Sequence, residues 1–157
     1  MTSSEGLSLY NDVVRPEWID YNGHMSEAFY VLAFGFATDA FYDHVGLDAT
    51  YRDQSSCSIY TVEAHISYLR ELAVGTHLLF TTLVLGYDQK RLHLFHRLYN
   101  AEADYLAATI ELMVLHVDQA QQCTVPFPEH VISRLEKIYA EHQKLSRPTQ
   151  AGRQIGL

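Results

Sequence analysis

Residues 18–45 read WIDYNGHMSEAFYVLAFGFATDAFYDHV, and the reading of this stretch decides the fold. Asp20, Tyr21, Asn22, Gly23 and His24 open it with residue types that favour turns and helix caps. They precede a run rich in Ala, Phe and Leu that stops before Gly46, which predicts a helix from Met25 to about Val45. Within it Met25, Phe29, Leu32, Phe36 and Ala40 form one stripe at helical spacing. Tyr30, Phe34, Ala37 and Phe41 form a second stripe on another side. A helix apolar on most of its circumference has to be buried on most of it. Its length of about 30 Å calls for a large curved sheet as cover, rather than one neighbouring helix.

The downstream sequence supplies that sheet. Residues 58–69, 76–87, 91–100 and 106–117 are rich in aromatic and β-branched types, with short polar connections at 71–75, 88–90 and 101–104. Short connections predict antiparallel neighbours. Leu92, Leu94, His96 and Leu98 share one face of the third of these strands, with His93, Phe95, Arg97 and Tyr99 opposite. On the first, Thr61, Glu63, His65 and Ser67 form a polar row, opposite Val62, Ala64, Ile66 and Tyr68. Upstream, residues 7–19 read as a strand interrupted near Pro16. Pro126 and Pro128 introduce a last helix over about 128–143, and 146–157 is expected to be a loose tail. The expected class is α+β: a long central helix wrapped by a curved antiparallel sheet of about five to six strands, plus a C-terminal helix, in one domain spanning 1–157 with its core at about 7–118.

A chain of 157 residues with 48% hydrophobic and 19% charged residues has the composition of a folded globular domain. Its net charge of −8 argues against nucleic-acid binding, which relies on clustered Lys and Arg. Residues 1–12 lack a basic segment followed by an apolar run, and no uncharged stretch is long enough to span a bilayer, so no membrane association and a cytoplasmic location are expected. Cys57 and Cys123 have no ligand or disulfide spacing, and the nine His do not form a metal motif, so no metal is expected.

The chemistry concentrates in residues 18–25. Asp20 stands just ahead of the predicted helix, where unpaired N–H groups and the positive end of the macrodipole gather. Such an end can polarise a carbonyl, while Gly23 lets backbone approach a ligand. A carboxylate beside it is a hydrolytic pair: Asp20 attacks or activates water, and amides near Gly23, His24 and Met25 steady the developing oxyanion. The bland alternative is that Asp20 or Asn22 merely caps the helix.

The string Trp18-Ile-Asp-Tyr-Asn-Gly-His-Met25, followed by Phe29-Tyr30, resembles the Asp-x-Asn-Gly-His signature of the 4-hydroxybenzoyl-CoA thioesterase-like hotdog proteins. The resemblance covers about residues 7–118. It implies a hotdog fold, with Asp20 as the catalytic carboxylate at the head of the central helix and Asn22, Gly23, His24 and Met25 around it. Where that family commonly has Asn-Asn-x-x-Tyr, this chain has Ser26-Glu27-Ala28-Phe29-Tyr30. A narrower resemblance covers this departure. Residues 18–30, 60–65 (YTVEAH), 88–96 (DQKRLHLFH) and 116–118 (HVD) look like the thioesterases associated with L-carnitine dehydrogenase, which hydrolyse betainyl-CoA.

That resemblance implies an acyl-CoA substrate, no cofactor beyond the CoA of the substrate, and a homodimer or homotetramer with its site between subunits. A betainyl group carries a quaternary ammonium, which aromatic faces and a nearby carboxylate would hold. Ring candidates are Tyr21, Tyr30, Phe34, Tyr42 and Tyr60, with Glu27 or Glu63 as charge; ordinary core packing explains the same rings. Glu63 and His65 could approach Asp20 of a second subunit, or simply face solvent. Arg70, Lys90 and Arg91 lie at strand ends and suit the CoA phosphates. Another short or aromatic acyl-CoA, and a binding protein without catalysis, are the alternatives. A hotdog dehydratase fits poorly, since His44 is the only His on the predicted helix and lies near its far end.

Overall fold

The computed structural model of the chain describes residues 2–3 and 5–157. The long helix, α1, runs Glu27–Val45. It starts two residues later than the sequence predicts, because the N–H groups of Met25 and Ser26 are drawn away to Leu72 O and Trp18 O. It ends where Gly46 takes φ +90°, a left-handed conformation that a side chain would strain. A Cβ there would also lie 2.6 Å from the Arg134 guanidinium.

The sheet has five long strands: β2 (Gly6–Val13), β3 (Cys57–Tyr68), β4 (His77–Tyr87), β5 (Arg91–Asn100) and β6 (Tyr105–Asp118). Two short ones, β1 (Thr2–Ser3) and β7 (Cys123–Thr124), pair with β2 and β6. The order is β1-β2-β4-β5-β6-β3, antiparallel throughout. The expectation that consecutive strands are neighbours holds for β4, β5 and β6 and fails for β3 and β4. The short connection between these two does not make a hairpin; it crosses the open end of the curved sheet. Along the way Leu69 and Arg70 donate to Ala107 O, Leu72 O accepts from Met25, and Gly75 donates to Val14 O. At about 3.3 Å per residue, the eight residues of 69–76 are long enough for this crossing.

The core lies between α1 and the concave face of the sheet. Phe34, Ala37, Phe41 and Tyr42 pack against Phe80, Leu92, Leu94 and Leu98. Only one of the two expected stripes of α1 is buried. In the other, Leu32 remains 43% exposed and Phe29, Phe36 and Ala40 are half-buried. Inside this core His96 is fully buried, with Nε2 3.0 Å from Thr38 Oγ1 and Nδ1 2.9 Å from Thr82 Oγ1. Thr38 spends its own proton on Phe34 O, so it accepts from His96, and Thr82 donates. Burial pushes the imidazole pKa down to about 3, fixing the neutral form.

A bulge at Val62 corrects the expected face of Thr61. Thr61 pairs with Val114 and Glu63 with the adjacent Met113, so the alternation shifts by one. Ile59 and Thr61 line a cleft against α1 together with Ala64, whereas Glu63 and His65 lie on the convex side. A helix that the sequence left unread, α2 (Ala49–Ser55), follows α1, with the Asp48 carboxylate accepting from Tyr51 N–H as its cap.

The C-terminal helix, α3, spans Glu129–His142. It buries Val131 and Leu135 in the main core, and its His142 Nδ1 accepts from Val84 N–H, a strand amide beyond the end of β2. The segment expected to be a loose tail is docked in part: Pro148 is buried and Gly152 N–H donates to Glu111 on the convex face, while 153–157 are exposed as expected.

Candidate active site around Asp20

The segment joining β2 to α1 folds into a closed loop. Trp18 is buried and stacks on Phe29 at 5.8 Å, which fixes the start of the loop. Asp20 N–H donates to His24 O, and Ser26 N–H donates to Trp18 O, so Ile19 and Met25 face each other as an isolated bridge. Gly23 closes the turn at φ +78° and donates to Asp20 O. These bonds make Asp20 and Asn22 loop residues several positions ahead of α1. The helix N-cap is Ser26, and no side chain caps the first turn.

Asp20 Oδ1 accepts from Asn22 N–H at 2.8 Å. Among the described residues this is the only hydrogen bond to the carboxylate, so the second oxygen is open to a substrate or water. Of the three amides expected to steady an oxyanion, Gly23 and Met25 are already used within the loop. Among the described residues, the N–H groups here that make no hydrogen bond are those of Tyr21 and His24 in the loop and of Glu27 and Ala28 opening α1, whereas Phe29 N–H donates to Ser26 O. Tyr21 and His24 are exposed, and Met25 is buried.

Aromatic rings gather at this end of the molecule. Tyr30 is buried and meets Tyr68 edge-on at 5.2 Å, and Tyr68 donates to Glu27 O. Burial pushes the Tyr30 phenol up to about 12, so it stays protonated. The Arg70 guanidinium lies 4.0 Å over the Tyr105 ring, whose hydroxyl donates to Glu71 O. Tyr68 and Tyr105 were not singled out from sequence; Tyr68 was legible there, as it alternates with Ile66 on the helix-facing side of β3.

The other candidates lie elsewhere in the chain. Tyr60 is exposed and accepts from Gln119 Nε2. Glu63 and His65 line a convex cleft with His93 and Glu111, which bond to each other at 2.7 Å. Burial raises the Glu111 pKa, but the Gly152 N–H and His93 outweigh it and hold the carboxyl low. Lys90 and Arg91 sit in the β4–β5 hairpin, at the opposite end of β4 from the Asp20 loop, roughly 35 Å away for an 11-residue strand. Arg91 is clamped there by Asp88 at 2.6 Å, with Asp88 also accepting from Lys90 N–H. Within a single chain Arg70 therefore lies over Tyr105, just past the end of β3 whose Tyr68 bonds to Glu27, and Lys90 and Arg91 lie at the far end of β4. Among the described residues no group of His, Cys, Asp and Glu has a metal-holding arrangement, and no helix is long and apolar enough to cross a membrane.

Comparison with known proteins fits this architecture. The profile of the thioesterase-like superfamily matches residues 14–135. The betainyl-CoA thioesterase of Pseudomonas aeruginosa is 42% identical over 154 residues, covering 98% of this chain and 97% of its own. A Rhizobium meliloti protein named L-carnitine dehydrogenase/betainyl-CoA thioesterase is 40% identical over 99% of this chain, which corresponds to 31% of that larger protein. A Staphylococcus aureus protein solved in complex with CoA superposes with a TM-score of 0.91 at 31% identity, covering 97% of this chain and 96% of that one. With the long helix held in a curved antiparallel sheet and a profile match over most of its length, this chain belongs to the thioesterase-like hotdog superfamily.

Proposed function

We propose that the protein hydrolyses the thioester of a small acyl-CoA, with betainyl-CoA as its favoured substrate and betaine and free CoA as products. The observation that carries the chemistry is the Asp20 carboxylate, positioned by Asn22 N–H and left with one open oxygen just ahead of the uncapped start of α1. Asp20 adds to the thioester carbonyl, or takes a proton from the water that does; the C–S bond breaks, the thiolate leaves as CoA thiol, and oxygen from water ends in the product carboxylate. The oxyanion formed on the way is met by backbone N–H groups, those of Tyr21, His24, Glu27 and Ala28 being free among the described residues. No further cofactor enters this reaction, and a cytoplasmic setting suits a CoA ester. The names of the full-length relative and the fused relative support betainyl as the acyl group.

The working form in this reading is a homodimer or a larger assembly of dimers. On α1, Val31 and Leu32 are 49% and 43% exposed, and β3 is an edge strand carrying exposed Tyr60 and Val62. An unpaired apolar edge beside an uncovered apolar helix face favours β3 pairing antiparallel with β3 of a second copy. Such pairing sets the Tyr68 end of one strand beside the Cys57 end of the other. It brings the Asp20 loop of one copy near the end of the other that carries Lys90 and Arg91, where these cations, with Arg70, meet the CoA phosphates.

The test is thiol release from betainyl-CoA, acetyl-CoA, and aromatic and medium-chain acyl-CoAs. Preference for betainyl-CoA supports the whole reading; turnover of neutral esters alone keeps the hydrolase and discards the betaine. A protein that binds CoA esters without turning any over would be a carrier.

A further inference from the structure

Gly35 stands in the middle of α1, and a Cβ built on it meets nothing within 4 Å. Glycine weakens a helix interior relative to alanine, and no contact within the chain requires it here. It opens onto a cleft of about 350 Å³ between α1 and β3, whose walls include Phe34, Thr38 and Tyr42 from the helix and Ile59 and Thr61 from the strand. Asp39, itself exposed, stands at the rim of the same cleft. Its carboxylate makes no hydrogen bond or ion pair among the described residues, burial pushes its pKa upward, and the nearby Arg52 charge acts against that. Tyr42 beside it is 6% exposed.

An acidic group at the rim of an aromatic and aliphatic cleft, without directional partners of its own, fits one class of ligand closely. A quaternary ammonium has no N–H to donate, so it is recognised by ring faces and by uncompensated negative charge rather than by a set of acceptors. The geometry points to this cleft as the seat of the acyl cation, with Asp39 as its counter-charge and Phe34 and Tyr42 as its aromatic walls. This assignment rests on the betainyl-CoA reading above.

It also dictates which Asp20 reacts. Asp39 is twelve residues past Glu27, about 18 Å along the helix axis, and Asp20 lies beyond the N-terminal end. In a betainyl thioester the carbonyl carbon and the nitrogen are two bonds apart, so Asp20 of the same chain is out of reach. Ile59 and Thr61 lie near the Cys57 end of β3, while the Asp20 loop is tied to the Tyr68 end through Glu27 and Leu72. Antiparallel pairing of two β3 edges superposes these ends. One copy then holds the cation and the other attacks the carbonyl.

The deciding experiment compares betainyl-CoA with its neutral carbon isostere, in which a tert-butyl group replaces the trimethylammonium. Asp39→Asn is expected to lower kcat/KM for betainyl-CoA about tenfold or more, while the isostere changes by less than about twofold. Equal losses on both esters would make Asp39 a structural residue and overturn the assignment. Mixed dimers, purified through two tags, with Asp20→Asn in one copy and Asp39→Asn in the other, keep one intact composite site and should regain about half of the wild-type rate on betainyl-CoA. No recovery above the parent variants, or a protein that is monomeric while active, would overturn the placement across two copies. Wild type inert toward both esters would instead remove the hydrolase reading, and selective turnover of the isostere would remove the cation.

Discussion

At the centre of the sheet His96 is fully buried and both of its ring nitrogens are paired, with Thr38 and Thr82; at the head of α1 Asp20 is half-buried and one carboxylate oxygen is open. Both are polar residues among aromatic ones. The difference lies in where their hydrogen bonds go. Around His96 each donor meets an acceptor within the chain, down to the Thr38 proton on Phe34 O, so the group specifies packing. Around Asp20 the loop uses the amides of Asn22, Gly23 and Met25 and leaves an oxygen and the start of a helix for something from outside.

Substitution can break this contrast at either site. Asp20→Asn is expected to lower thioester hydrolysis roughly a thousandfold or more, with CoA-ester affinity and melting temperature nearly unchanged. A matching collapse of Tm would show that the loop, rather than the chemistry, needs the carboxylate.

The second expectation concerns pH. His96 is neutral in the fold down to about pH 3, whereas in the unfolded chain it binds a proton near its ordinary value of 6.5. The unfolded state therefore takes up the proton first, and stability should fall as pH drops from about 6.5 towards 3, by up to roughly 1.4 kcal/mol per pH unit. His96→Gln should flatten that slope relative to wild type in urea titrations across this range; parallel slopes would contradict the burial argument. His142, whose pKa burial also lowers, adds to the same trend in both proteins.

A smaller effect is expected at Thr38→Val, which leaves the His96 Nε2–H without an acceptor. It should destabilise by about 1–3 kcal/mol, with Thr38→Ser largely restoring the loss, as read from denaturant midpoints. The smallest is at the exposed hairpin. Asp88→Asn releases Arg91, and its stability change should stay within about 1 kcal/mol because that ion pair is solvent-screened. A larger loss would mean that the three hydrogen-bonded contacts of Asp88 shape the turn itself.

Several structural features were out of reach of local reasoning. The burial of only one stripe of α1 could not be read from periodicity, because both stripes are equally apolar and only the position of the strands distinguishes them. The polar row on β3 failed for a related reason: a single bulge at Val62 moves Thr61 to the cleft and leaves Glu63 and His65 outside, and no residue type announces it. The connection 69–76 is short enough for a hairpin, and its crossing to β4 depends on bonds to Ala107, Met25 and Val14, which are distant in sequence. Likewise 146–157 lacks any helix or strand pattern, yet its first half is held where Pro148 is buried and Glu111 accepts from Gly152 N–H.

By itself the sequence determined what local chemistry determines. These are the long apolar helix and its glycine stop, the four strands after it, the turn residues around Asp20, and, through the resemblance of that turn, the thioesterase-like family. The tertiary structure alone decided strand order, which faces are covered, and which amides near Asp20 remain unpaired. It also set Asp39 at the rim of a largely apolar cleft, far from Asp20 of its own chain. These all depend on contacts between residues remote in sequence, whose partners are set by the closure of the sheet around the helix.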